Sequence, residues 1–109
     1  MVTRVYFNTK MLDDALLKSY VTPQIVEDSS RYVESVALSF GVSPKQIVEP
    51  TPFMVSQLGL LWAYMTAAWR KAQFSKGDKA EDDSFYLKFR LYKELLDTLL
   101  IRMVINSIL

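Results

Sequence analysis

The run Leu58–Trp69, twelve residues bounded by Gln57 and Arg70, is the most apolar stretch of the chain and the strongest constraint on its fold. It is too short to span a bilayer and reads as part of a buried helix. That helix is predicted from Pro52 to about Phe74. Met54, Leu58, Leu61, Trp62, Met65 and Trp69 fall on one flank, and Leu60, Tyr64 and Ala68 on the other. A helix that is apolar nearly all round belongs at the centre of its domain. Gly59, Ala63 and Ala67 recur at i+4 spacing, which suits the close approach of a neighbouring helix.

Proline and glycine punctuate the rest. Thr22 is a natural cap and Pro23 suits a first helical position, where the missing N–H costs nothing. Val26, Ser29, Val33, Val36 and Phe40 then follow 3-4 spacing, with Glu27, Asp28, Arg31 and Glu34 opposite, which predicts a one-sided amphipathic helix ended by Gly41. Ser43-Pro44-Lys45-Gln46 reads as a capping box opening one turn, and Glu49-Pro50-Thr51-Pro52 as extended chain. A shorter helix is expected from Lys10 to Tyr20, with Leu12, Leu16 and Leu17 on one side. Val2–Phe7 before it is either extended or an irregular arm. Residues 75–83 read as a polar, flexible loop, and a last long helix starts near Asp83 or Ser84, with Phe85, Phe89, Tyr92, Leu96, Leu99 and Met103 as its core stripe.

The expected fold is therefore all-α: one domain over 1–109, a bundle of three to four helices with a central apolar helix and a long C-terminal one. Residues 1–9 form an N-terminal arm. Its predicted core is Val33, Val36, Phe40, Leu58, Trp62, Met65, Trp69, Phe89, Tyr92 and Leu96. A chain of 109 residues with half its residues apolar has the material for one modest core.

Composition narrows function mainly by exclusion. Cysteine and histidine are both absent, which removes disulfides, thiol nucleophiles, Cys/His zinc sites and the commonest general base. Thirteen basic residues against twelve acidic leave a net charge of +1, with no global attraction to nucleic acid or anionic membrane. The opening MVTRVYFNTK lacks an apolar signal core, so the expected location is the cytoplasm or a particle assembled there. Asp13-Asp14 and Asp82-Asp83 are adjacent and so do not face each other on a helix; the second pair reads as helix caps. Glu27 and Arg31 are an ordinary i, i+4 surface pair. Arg70, Lys71, Lys76 and Lys79 cluster near the end of the central helix, where cations complement its C-terminal dipole. No phosphate-binding glycine loop is present. The expectation is no enzyme, no cofactor and no metal.

The last helix carries one anomaly. Arg90, Glu94, Asp97, Ile101, Val104 and Ile108 share a face that is charged in its first half and apolar in its second. Eight of the last eleven residues are apolar, more than a helix at the edge of a small bundle hides. Either the N-terminal region wraps over this end, or Ile101, Val104, Ile105, Ile108 and Leu109 form an interface with another subunit or partner. The second reading is favoured, because burying each such side chain is worth ~1.5–3 kcal/mol. The alternative within this reading is a homo-oligomeric helical regulatory or partner-binding module of a bacterium or phage.

The run Tyr20-Val21-Thr22-Pro23, the helix ending Leu38-Ser39-Phe40-Gly41-Val42 and the proline-bounded segment after it resemble small helical head-to-tail adaptor (connector) proteins of tailed bacteriophages and prophages. Trp62, Ala63, Tyr64, Ala67 and Ala68 are similar to that family's aromatic, alanine-containing helix. Asp83-Ser84-Phe85-Tyr86-Leu87-Lys88 and Leu91-Tyr92-Lys93-Glu94-Leu95-Leu96 look like its last helix. The likeness spans roughly residues 12–105; the first ten residues and the ending INSIL have no counterpart in it. It implies a homo-oligomeric ring, a dodecamer, joining the portal protein to a stopper or tail-completion protein. DNA passes the lumen without sequence-specific binding, no membrane is involved, and the protein resides in the virion after assembly in the host cytoplasm. The family's C-terminal segment commonly docks on the portal, which gives Ile101–Leu109 a role.

Overall fold

The computed structural model describes residues 4–49, 51–73 and 84–108, the side chains of 73 and 105–108 excepted. It is an all-α bundle of three helices: α1 (Pro23–Ser39), α2 (Phe53–Gln73) and α3 (Ser84–Ile108). Three short 3-10 turns accompany them at Thr9–Met11, Lys18–Tyr20 and Pro44–Gln46, and no strand occurs among the described residues. The predicted loop 75–83, with Lys76, Lys79 and the Asp82-Asp83 caps, lies outside the described residues.

Local chemistry sets the ends of α1. Thr22 Oγ1 accepts from the Ile25 amide at 3.2 Å, and Pro23 follows in the first turn. At the other end Gly41 adopts φ +78°, the left-handed conformation that a side chain disfavours. The Val42 amide then reaches Ala37 O at 2.8 Å and the Gly41 amide reaches Leu38 O at 2.9 Å, the paired bonds of a Schellman motif. The next turn is the expected capping box: the Ser43 amide donates to Gln46 Oε1 at 2.7 Å.

α2 packs against α1 and α3, which scarcely meet one another. Its most deeply buried side carries Gly59, Ala63, Tyr64, Ala67 and Ala68. Small residues there let neighbours approach closely. A Cβ on Gly59 would lie 3.2 Å from Phe7 Cδ1 and 3.3 Å from Val33 Cγ2, so the stripe serves α1 on one side and the N-terminal segment on the other.

Val33, Leu58 and Leu96 are buried as expected, while Val36, Phe40, Trp62, Met65, Phe89 and Tyr92 are half-buried around them. Trp69, expected in the core, is 44% exposed. It stands about a third of a turn round α2 from Gly59, Ala63 and Ala67, and its ring rests on Phe89 with centroids 4.8 Å apart.

The helix predicted over Lys10–Tyr20 does not form. Asp14 Oδ1 accepts from the Leu16 and Leu17 amides, each at 3.0 Å. The Tyr64 hydroxyl takes the Asp13 and Asp14 amides at 2.7 and 2.9 Å. Backbone donors that a helix would use are satisfied by side chains instead, and the segment folds as two 3-10 turns. Ahead of it, the arm is irregular and closely held. Tyr6 and Phe7 are buried, Arg4 donates to Ile47 O at 2.8 Å and Val48 O at 3.0 Å, and Tyr6 donates to Glu34 Oε2 at 2.7 Å.

Candidate assembly surface

The surface of interest is the side of α3 turned away from α2. The inner side is set by Phe85, Phe89, Tyr92 and Leu96, the predicted core stripe, which pack on the two apolar clusters centred on α2. A helix that fixes that side inward must turn Leu87, Leu91 and Leu95, spaced i, i+4, i+8, outward. They are 48%, 44% and 44% exposed. Ile101 and Val104 continue the apolar character at 60% and 44% exposed. Of the residues expected to form an interface, these two stand open in the single chain; the side chains of Ile105 and Ile108, and Leu109 itself, lie outside the described residues.

The three outward leucines had no place in the expected interface. Their signal was present, since i+4 leucines opposite an aromatic stripe give a helix two apolar sides. Arg90, Glu94 and Asp97 flank the leucine ridge, all exposed, and Asp97 pairs with Lys93 at 3.1 Å.

Beside the end of α3 lies an open apolar groove of about 380 Å³. Val33, Val36, Ala37 and Phe40 of α1 form one wall, Met54, Val55 and Leu58 of α2 another, with Val42, Ile47 and Met103 closing the ends. The groove and the C-terminal half of α3 thus adjoin through Met103.

Polar chemistry inside the bundle is already satisfied. Asp14, its side chain 3% exposed, takes the Leu16 and Leu17 amides on one oxygen and Lys88 Nζ, at 2.9 Å, with the Tyr92 hydroxyl on the other. Tyr92 stacks on Tyr64 with centroids 4.8 Å apart. Burial alone raises the Asp14 carboxyl, but hydrogen bonds from Tyr92, Lys88 and the Leu17 amide outweigh it and hold the group below the usual carboxylate value. Burial, and then the Asp14 carboxylate, push Tyr92 upward. This cluster pins the N-terminal segment onto α2 and α3. The sequence showed Asp13-Asp14 only as adjacent acids, and the partners 50 to 78 residues away were not visible there.

The basic residues near the end of α2 are engaged within the chain. Arg70 approaches Asp28 at 3.9 Å, and Lys71 Nζ sits 4.5 Å from the centre of the Tyr20 ring. Glu27 and Arg31 pair at 3.1 Å, as expected of that spacing. Among the described residues no cluster of acids is placed to hold a metal, and no helix is long and apolar enough to cross a membrane. No family model, curated protein or solved structure matches this chain.

Proposed function

We propose that this chain is a virion structural protein, a head-to-tail adaptor whose copies form a ring between the portal and the stopper or tail-completion proteins around the DNA channel. The observation that carries the reading is the open apolar side of α3, which a single chain leaves in water at Leu87, Leu91, Leu95, Ile101 and Val104. Exposed apolar area of this extent marks a surface that works by contact with another chain. The resemblance over residues 12–105 supplies the kind of assembly. In this reading the end of α3, from Ile101 onward, docks on the portal, and the rigid bundle behind it carries the load.

The test is genetic and structural. Deleting the gene from the phage or prophage that carries it should leave filled heads and free tails that fail to join. Ile101→Ser with Val104→Ser should reproduce that defect while the purified variant keeps its far-ultraviolet helicity. Joined particles in the deletion strain, or virions lacking the protein, overturn the proposal. Duplex DNA binding that weakens steeply with salt would instead identify the regulatory module.

A further inference from the structure

We draw no further inference here: the strongest candidate, the open apolar groove between α1 and α2 beside the end of α3, is an unpartnered surface, and nothing in the structure shows what covers it.

Discussion

Asp14 shows how much one side chain can hold when every lone pair is used. Its carboxylate ties its own turn, through the Leu16 and Leu17 amides, to Lys88 and Tyr92 on α3. Asp14→Asn turns an amide N–H toward groups that themselves donate, and a loss of ~2 kcal/mol is expected in urea unfolding. The folded carboxyl titrates below the unfolded one, so its contribution is complete above the usual carboxylate value near ~4 and is lost as pH falls through the folded value. The wild type should lose stability across that acid range, and Asp14→Asn should flatten the dependence. Tyr6 works in the opposite direction. Burial and then the Glu34 hydrogen bond push its hydroxyl up to about 12. Its contribution is therefore complete below ~10 and is lost as pH rises through the folded value. Tyr6→Phe should remove that alkaline loss, as followed by thermal unfolding at a series of pH values.

At the scale of elements, the two small residues of most consequence act for different reasons. Gly41 has open space where a Cβ would stand but a φ of +78°, so Gly41→Ala should cost ~1 kcal/mol through conformation alone. Gly59 sits in a helix, where alanine ordinarily gains ~1 kcal/mol, yet its neighbours Phe7 and Val33 are both buried. Gly59→Ala should show none of that gain; a full gain in denaturant unfolding would mean that Phe7 and Val33 yield freely. The same contrast explains what was legible in advance. Thr22, Pro23, Gly41 and the Ser43–Gln46 box act on their immediate neighbours, so α1 and its boundaries could be read locally. The fate of Lys10–Tyr20 depended on Tyr64 and Tyr92, far along the chain, and no local spacing encodes that. Trp69 carried the right periodicity for the core but stays 44% exposed with its ring against Phe89. On α3 the aromatic core stripe was plain. The leucines behind it were missed because a second apolar side has no meaning until the first is placed.

The whole molecule is thin. Its extents of 46 × 33 × 20 Å leave room across the shortest axis for two helix layers, each ~10 Å deep. With two layers, a helix packed on α2 by its inner side has nothing above its outer side, and the apolar ridge of α3 stays in water for want of a third layer. In the proposed joint a partner chain supplies that layer. Head-to-tail joining in a strain deleted for the gene, complemented with the wild type or with an Ile101→Ser/Val104→Ser variant of equal helicity, tests this most directly. The account predicts joined particles with the wild type and unjoined heads and tails with the variant. A variant that joins heads to tails as well as the wild type does would contradict it.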